Sequence, residues 1–598
     1  MKIRSYNRDY DREKISVQGL DYRLLKRLFS YLAPYRAYVL LSVVLLVFAK
    51  AIEALVPILI GHLAETILGV SQTSPNFPQE LLRWGLWLGG LLILGYIFDA
   101  SNVLVKNWVG QHALLTLRSE TYDAIQRMPI SFFDRESVGR LMSRTIHDVD
   151  QINQLYSESI VPIIGNIILL LGILAGALYL SWEVALIALL VFPILFYLTI
   201  SFRKEQSRCF ELLRAVVSSL NTFIQERLMG ASTIWVFGTR KREKKEFEQI
   251  NQDHCTVHLE SIHNLGIFLA GIQFLHSLVL IMIFAALVLL SPAGSDFDAG
   301  MFFTFSLYAL MVFRPIADLA ERYNVLQAAI ASGGRIFDIL DREQENYSKG
   351  INLTSIQTIS FEDVWFAYQA DNWVLRGLSF TVNNGESIAV VGVTGAGKTT
   401  IMGLLLRLYD YQRGTIKVNG RNILEYSLDS LRRQFSVVPQ EPMLFSGTIA
   451  QNIAMEDPDF PLAAIQQAAD YVDLSPLIQR NALGYDQIIS GTGGGLSAGE
   501  AQLITLARAV AHNGSVYILD EATANIDTVS EKKIQAAMNR ILAEKTAIVI
   551  AHRLSTIQHA TRILVLNQGQ VAEEGSHEAL LRLGGIYEKL YRLQFLDI

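Results

Sequence analysis

The octet Gly392-Val393-Thr394-Gly395-Ala396-Gly397-Lys398-Thr399 is the most informative stretch of this sequence. It fits the phosphate-binding pattern GxxxxGK[ST] and follows an apolar run, 388–391, that is typical of a buried strand. The pattern predicts a strand, a glycine-rich loop and a helix. Backbone N–H groups of the loop and the positive N-terminal end of the helix would surround phosphate oxygens. We expect Lys398 on the β- and γ-phosphates and the Thr399 hydroxyl on Mg²⁺. For the octet alone, the alternative is an ordinary glycine-rich turn.

The composition indicates a membrane protein. The chain has 598 residues, of which 51% are hydrophobic, and its mean hydropathy is +0.29. Its net charge of -6 is unremarkable, so the apolar excess must be concentrated in one region, and it lies before about residue 325. The two cysteines, Cys209 and Cys255, have no metal-ligand spacing. They are expected to be reduced structural thiols and not a disulfide or a zinc site.

Six apolar segments in the first half approach the roughly 20 residues needed to cross a bilayer as a helix. Several are long enough that a buried helix of a soluble protein is a poor alternative. The sequence therefore predicts an all-α, six-helix transmembrane domain. The predicted spans are 37–60, 84–105, 160–180, 184–200, 265–290 and 301–322.

The loops between the spans predict their orientation. Segments 61–82, 181–183 and 291–300 contain no Lys or Arg, whereas the second loop is basic and ten basic residues lie within 203–245. By the positive-inside rule, both termini and the two long loops are cytosolic, as expected of an integral protein of the cytoplasmic (inner) membrane. Nine Lys or Arg residues occupy the first 36 positions, where nothing resembles a cleavable signal. Within them, 21–36 has the apolar spacing of a helix lying on the cytosolic membrane surface.

The two long cytosolic loops should be structured. About 50 to 60 residues join helices that a handful could have joined. The simplest interpretation extends the membrane helices into the cytosol and reverses them at short crossing segments. The candidates are 129–139, where Pro129 interrupts a helical pattern, and 230–238, which has glycine at both ends. A disordered linker is a weak alternative because both segments carry aromatic residues.

Polar side chains within the predicted spans are candidates for contact with a transported molecule. The candidates are Lys50 and Glu53 in the first span, Asp99 and Asn102 in the second, and Gln273 and His276 in the fifth. Simpler interpretations are that Lys50 and Glu53 neutralise each other and that Asp99 faces a wet cavity.

After residue 358 the pattern changes to short β-branched and aromatic runs alternating with polar helices, which predicts an α/β domain. Asn383-Asn384-Gly385 looks like the turn of a hairpin. The segment 516–521 reads as a second buried strand that ends in two carboxylates, Asp520 and Glu521. If this strand lies beside the phosphate loop, Asp520 can hold the Mg²⁺ shell and Glu521 can polarise a water for attack on the γ-phosphate. A solvated strand end is the alternative.

Over essentially its whole length the chain resembles an ATP-binding cassette exporter half-transporter. Tyr368 in VWFAY matches the family's adenine-stacking aromatic residue, and Gln440 in VVPQEPMLF matches the glutamine that reaches Mg²⁺ and the attacking water. Asp527 in ANID matches the loop that crosses the dimer interface. His552 in AHRLST matches the switch histidine, which contacts the γ-phosphate and organises Glu521. The resemblance implies nucleotide contacts from Gly392, Thr394, Gly395, Ala396, Gly397, Lys398, Thr399 and Thr400.

The family signature, usually LSGGQ, is LSAGE over 496–500. The resemblance implies that Ser497 and Gly499 bind the γ-phosphate held by the opposite subunit. Glu500 adds a carboxylate near an anionic ligand, but Ser497-x-x-Glu500 is also a capping box, in which Glu500 folds back on its own helix. Gly491 stands where exporters usually carry a glutamate that contacts the coupling loops.

The resemblance implies an ATP hydrolase with ATP and Mg²⁺ as cofactors. It would export a hydrophobic or amphipathic substrate by alternating access as a dimer of half-transporters. The substrate could be a small molecule, a lipid or a peptide; membrane lipid is a further partner, and no nucleic acid is expected. The altered signature beside an intact Asp520-Glu521 pair favours a heterodimer over a homodimer. An ATP-gated channel or regulatory subunit is the main alternative. The expected domains are a cytosolic N-terminus (1–36), the transmembrane domain (37–325), a linker (326–357) and the nucleotide-binding domain (358–598).

Overall fold

The computed structural model of the chain describes residues 22–68, 77–290, 298–369, 372–480, 482–490, 495–520, 526–550 and 557–595. It divides into two compact units. The helical unit comprises Met1–Gln126 and Ser137–Arg342, and the α/β unit comprises Arg127–Glu136 and Glu343–Ile598. The short segment 127–136, which leaves the end of the second long helix, is thus part of the α/β unit.

Long helices build the helical unit. Two π-helical stretches, Arg144–Asp148 and Leu155–Ile160, join α5, α6 and α7 into one run. The first twelve helices are α1 Tyr22–Ser30, α2 Arg36–Leu68, α3 Phe77–Gln126, α4 Ile130–Phe133 of the α/β unit, α5 Val138–Ser143, α6 Val149–Gln154, α7 Val161–Leu180, α8 Trp182–Leu189, α9 Phe192–Met229, α10 Ala231–Val236, α11 Arg240–Leu290 and α12 Ala299–Leu340.

Five helical segments among the described residues are long and apolar enough to cross a membrane, namely Ala33–Leu68, Phe77–Gln126, Val138–Leu180, Trp182–Met229 and Arg240–Leu289. They cover the first five predicted spans, except for residue 290 at the end of the fifth. The sixth predicted span lies within α12, whose apolar part, Ala299–Phe313, is shorter. Charged residues enter the sequence soon after Phe313, which is why the apolar stretch ends there.

Both predicted crossing segments contain a short helix. Pro129 is extended, with φ -63° and ψ 152°, and it precedes α4. Gly230 precedes α10, and Gly238 has φ +67°, a left-handed conformation that favours glycine. The long helices α3 and α9 therefore end where the sequence predicted, at residues that interrupt a helix.

The predicted N-terminal amphipathic helix is present as α1, but part of its apolar face packs on protein. Leu28 is fully buried in a cluster with Leu117 of α3 and Phe337 of α12. The Tyr156 hydroxyl donates a 2.6 Å hydrogen bond to the Leu28 carbonyl. Packing against protein is enough to explain part of the apolar face of α1. Its placement on a membrane surface therefore stays a prediction.

The α/β unit contains two main sheets. Its strands are β1 Thr358–Phe366, β2 Leu375–Asn383, β3 Ser387–Gly392, β4 Arg413–Val418, β5 Arg421–Asn422, β6 Phe435–Val438, β7 Gly447–Thr448, β8 Ile488–Ile489, β9 Val516–Asp520, β10 Ala547–Ile550, β11 Arg562–Asn567 and β12 Gln570–Gly575. Its further helices are α13 Lys398–Leu405, α14 Leu428–Arg432, α15 Ile449–Ala454, α16 Leu462–Tyr471, α17 Ser475–Arg480, α18 Ala498–His512, α19 Thr528–Glu544, α20 His577–Leu583 and α21 Ile586–Phe595.

The larger sheet has the order β12-β11-β3-β10-β9-β6, and only β12 runs antiparallel to its neighbour. Parallel strands covered on both faces read as continuous apolar runs, as β3 and β9 do. The smaller antiparallel sheet has the order β2-β1-β4-β5.

Sheet pairing corrects two expectations. Asn383-Asn384-Gly385 does not close a hairpin, because β2 pairs with β1 in the small sheet whereas β3 pairs with β10 and β11 in the large one. The turn joins two sheets. The strand ending at Asp520 does not lie directly beside the phosphate-loop strand either, because β10 lies between β3 and β9. Strand partners depend on distant parts of the chain, which the local pattern cannot specify.

Candidate nucleotide site and membrane cavity

The phosphate loop has the backbone that its glycines allow. Gly397 precedes α13 with φ +99°, and a Cβ there would lie 2.6 Å from Leu375 Cδ2. Lys398 is buried, and its Nζ donates to the carbonyls of Gly392 at 2.8 Å and Val393 at 3.2 Å. Burial lowers the pKa of Lys398, and the Asp520 carboxylate partly offsets this. The ammonium is therefore held over the loop by carbonyl oxygens that a phosphate can replace.

The strand ends bring the predicted metal residues to one edge of the sheet. Ile550 of β10 is level with Val390 on one side and Asp520 on the other. Asp520 is only 5% exposed, whereas Thr399 at the start of α13 is exposed. A carboxylate and a hydroxyl are oxygen donors of the kind Mg²⁺ prefers, so these residues fit that ion. Glu521 is the first residue after β9, and His552 is the second residue after β10; both lie outside the described residues.

Tyr368, the predicted adenine platform, is 46% exposed, and neighbouring side chains contact its hydroxyl and its ring. Its hydroxyl lies 3.2 Å from the Thr400 hydroxyl. Its ring meets Phe366 and Tyr409 edge to face, at centroid distances of 4.8 and 5.1 Å. An exposed, oriented aromatic ring can stack on a base. Thr400 is buried and faces Tyr368, so its side chain supports the platform.

Tyr409 is a functional candidate that the sequence reasoning missed. Its hydroxyl donates a 2.6 Å hydrogen bond to Asp134, which directly follows α4. Burial, and then the bond to Asp134, raise the pKa of Tyr409. Both residues line a cavity of about 1100 Å³ in the α/β unit, which Tyr368 also lines. The adenine platform, Tyr409 and the first crossing segment are therefore in continuous contact.

The signature segment forms a capping box, as the simpler interpretation predicted. The Ser497 hydroxyl accepts from the Glu500 N–H at 3.2 Å, and the Glu500 carboxylate accepts from the Ser497 N–H at 2.8 Å. Arg480, which sequence reasoning did not include, donates to the other Glu500 oxygen at 2.9 Å. The extra carboxylate is thus bound by its own helix and by a cation.

Gly499 packs against the start of α19, the helix that Asp527 caps. Asp527 caps that helix by accepting from the Ser530 N–H at 2.9 Å, and hydrogen bonds at the cap lower the pKa of Asp527. A Cβ on Gly499 would lie 2.3 Å from Ser530 Cβ, so only glycine fits there. Close helix packing explains Gly499 without a ligand.

Three further residues were predicted to belong to the nucleotide site. Thr394 and Gln440 are exposed, and Ala396 is buried.

Four of the six polar residues predicted within the spans line one cavity of about 750 Å³ between α2, α3, α7 and α12. The Lys50 ammonium and the Glu53 carboxylate pair at 2.6 Å, as the simpler interpretation held. Gln273 and His276 are not among the lining residues; His276 is buried edge to face against Phe313. The four are Lys50, Glu53, Asp99 and Asn102, and the charged lining residues that the sequence reasoning missed are Lys106, Asp318 and Arg322.

Comparison with known proteins agrees with this arrangement. Residues 39–316 match the family model of the ABC transporter transmembrane region, and residues 375–524 match that of the ABC transporter. The chain belongs to the ABC transporter family. It is 34% identical to YknV of Bacillus subtilis strain 168, an uncharacterized ABC transporter ATP-binding protein, over 98% of this chain and 97% of the relative.

Two further likenesses specify the kind of ABC transporter. An ATP-dependent lipid A-core flippase of Syntrophus aciditrophicus is 31% identical, over 96% of this chain and 94% of the flippase. The solved structure of a bacterial Atm1-family ABC exporter with ATP bound has a TM-score of 0.76 and 26% identity, covering 94% of this chain and 99% of that chain. This ABC chain is therefore an exporter half-transporter and an integral membrane protein. Its α/β unit binds ATP, and hydrolysis is coupled to transport.

Proposed function

We propose that this half-transporter works as part of a dimer that moves an amphipathic substrate outward by alternating access. In this proposal ATP closes two nucleotide-binding domains on each other, the closure moves the crossing segments, and hydrolysis resets the transporter. The observation that carries the proposal is the hydrogen bond from Tyr409 to Asp134. Both residues belong to the α/β unit, and Asp134 lies in the segment that joins α3 to α5 in the chain, through which a closure could reach the membrane helices.

Hydrolysis is assigned to the ends of β9 and β10. Asp520 and Thr399, with Gln440, would hold Mg²⁺, which neutralises phosphate charge when bound. Glu521 would accept proton density from the attacking water, and His552 would orient Glu521 and the γ-phosphate. Tyr368 would hold adenine. The α/β unit and both termini would lie in the cytosol at the cytoplasmic membrane, which the basic loops support.

Flux into sealed vesicles tests pumping. The chain, with a partner where it needs one, would accumulate an amphipathic fluorophore against its gradient when Mg²⁺-ATP is outside. Glu521→Gln should bind ATP and accumulate nothing. Dissipation of a preset gradient without accumulation would refute the pump and favour an ATP-gated channel.

We propose an unlike half-transporter as the partner. Glu500 is accounted for by its capping box, so the inference rests on Ala498, whose methyl lies at the start of the signature helix, and on Gly491. Ser497→Arg would block the approach of that helix to a phosphate. In a heterodimer, Ser497→Arg damages only the ATP site that contains the partner's phosphate loop. Substantial ATP turnover then remains at the site that contains Lys398 of this chain. In a homodimer it eliminates hydrolysis. A stable, fully active dimer of this polypeptide alone would refute the heterodimer.

A further inference from the structure

The cavity between α2, α3, α7 and α12 contains cations that have no carboxylate of their own. Lys50 pairs with Glu53 at 2.6 Å, and Asn102 accepts from the Ser42 hydroxyl at 2.6 Å. Across the described residues, no carboxylate lies within 4.0 Å of Lys106 or Arg322. The remaining positive charges of the cavity are therefore not neutralised by ion pairs.

Two hydrogen-bond donors at this place also lack acceptors. Arg322 Nε and Asn166 Nδ2 are buried, and neither has a hydrogen-bond partner among the described residues. Both residues line the cavity. A buried donor without an acceptor is destabilising, and more so when it is charged. Such donors therefore mark places where a ligand could supply the missing acceptor.

The distribution of charge favours a ligand with an anionic group. Lys106 and Arg322 line the cavity together, and each is partly buried, whereas Asp99 is exposed. Asp99 acts on the charge of Lys106 more than Arg322 does, and Glu158 acts on it less. Withdrawing two neighbouring cations from water is unfavourable unless an anion joins them. Asp99 lies two turns before Lys106 on α3, about 10 Å along the axis, and Asp318 lies one turn before Arg322. These acids disfavour a ligand that carries several negative charges.

Apolar side chains supply the rest of the wall. Leu46 and Ile52 of α2, Leu169 of α7 and Leu310 of α12 line the same cavity. A charged head and an apolar body can therefore be held side by side. An isolated anion would leave this apolar wall without a partner, whereas the alkyl chain of an amphiphile would cover it.

We propose that Lys106, Arg322 and Asn166 form a binding subsite for the single anionic head group, phosphate or carboxylate, of an amphiphilic substrate. This subsite rests on the proposed export function, and it narrows the substrate class. Two cations and an amide donor surround the anionic oxygens, the apolar wall receives the alkyl chain, and Asp99 and Asp318 exclude a second anionic group.

Binding to the full chain in phosphatidylcholine nanodiscs tests the subsite without nucleotide. The probes are radiolabelled dodecyl phosphate and dodecanoate, with dodecyltrimethylammonium as the cation of equal chain length. We expect both anions to bind and the cation to bind at least about ten-fold more weakly. Equal binding of the cation would overturn the proposal. Competition by inorganic phosphate as effective as that by unlabelled dodecyl phosphate would overturn the assignment to an amphiphile.

Variants locate the subsite. Arg322→Gln and Lys106→Gln should each weaken dodecyl phosphate binding about ten-fold, and Arg322→Lys should recover part of the loss. Arg208→Gln is the matched control, because it removes a positive charge that is exposed and paired with Glu205. Wild-type affinity in both glutamine variants would refute the subsite. If Arg322→Gln is not monodisperse, the affinities of Lys106→Gln and Arg322→Lys for dodecyl phosphate decide whether the subsite exists.

The outcome is separable from that of the proposed function. Binding is measured without ATP turnover, whereas export depends on Glu521 and on flux. Flux with no selectivity for the anionic probe would refute only the subsite. Selective binding with no flux under Mg²⁺-ATP would refute only the pump.

Discussion

The hydrogen bond from Tyr409 to Asp134 provides a direct test of how ATP binding reaches the membrane helices. Tyr409→Phe removes only the hydroxyl and keeps the ring that meets Tyr368 edge to face at 5.1 Å. The lost contact is an O–H···O⁻ bond of 2.6 Å, a length typical of charge-assisted hydrogen bonds. Such bonds contribute about 1.5–3 kcal/mol. Because solvent reaches Asp134, we reduce this to about 1 kcal/mol, or about five-fold.

The expected result is a loss of coupling and not of ATP affinity. The ATP Michaelis constant should change by less than about two-fold, because Tyr368 keeps its neighbours. Transport per ATP hydrolysed should fall about five-fold. Flux and phosphate release would be measured in the same vesicles.

A double-mutant cycle assigns the effect to this bond. Tyr409→Phe, Asp134→Ala and the double variant should show a coupling energy near 1 kcal/mol. Tyr411→Phe is the matched control, since it removes a phenol hydroxyl that binds Asn422 at 2.9 Å within the α/β unit. Additive effects, or an equal loss in Tyr411→Phe, would show that the bond carries no coupling.

Three further predictions concern ATP. Glu521→Gln should nearly abolish turnover and leave ATP binding intact, because an amide cannot take up a proton from water; most of the wild-type rate would contradict the assignment. Tyr368→Ala should raise the ATP Michaelis constant about ten-fold at a similar maximal rate, by loss of stacking; an unchanged constant would mean that another residue holds adenine. Glu500→Gln keeps an acceptor for the Ser497 N–H and loses only the ion pair with the exposed Arg480. The ATPase rate should therefore stay near wild type, and the free energy of unfolding in denaturant should change by less than about 1 kcal/mol. A loss of turnover as large as that of Glu500→Ala would contradict this prediction.

Features that depend on local sequence could be predicted. The phosphate loop was predictable because Gly397 needs a left-handed backbone and Lys398 follows it at fixed spacing. The positions of the two crossing segments were predictable because Pro129 and Gly230 interrupt long helical patterns. The capping box of Ser497 and Glu500 was predictable because both partners lie within one helical turn.

Features that depend on distant partners could not be predicted. The turn at Asn384 has hairpin chemistry, but strand pairing places its two flanking strands in different sheets. Lys106 and Arg322 are more than two hundred residues apart, and only the packing of α3 and α12 brings both to one cavity. For Lys106 a signal did exist: it lies seven residues after Asp99 and therefore on the same helix face.

The geometry around Glu500 changes how the altered signature should be interpreted. By sequence, a carboxylate in place of glutamine looks unfavourable for binding ATP. In the structure that carboxylate accepts from the Ser497 N–H at 2.8 Å and from Arg480 at 2.9 Å, so both its oxygens are bound before any nucleotide arrives. A glutamine could make the first of these bonds equally well. The substitution therefore preserves the helix start, and the argument for an unlike partner depends on Ala498 and Gly491.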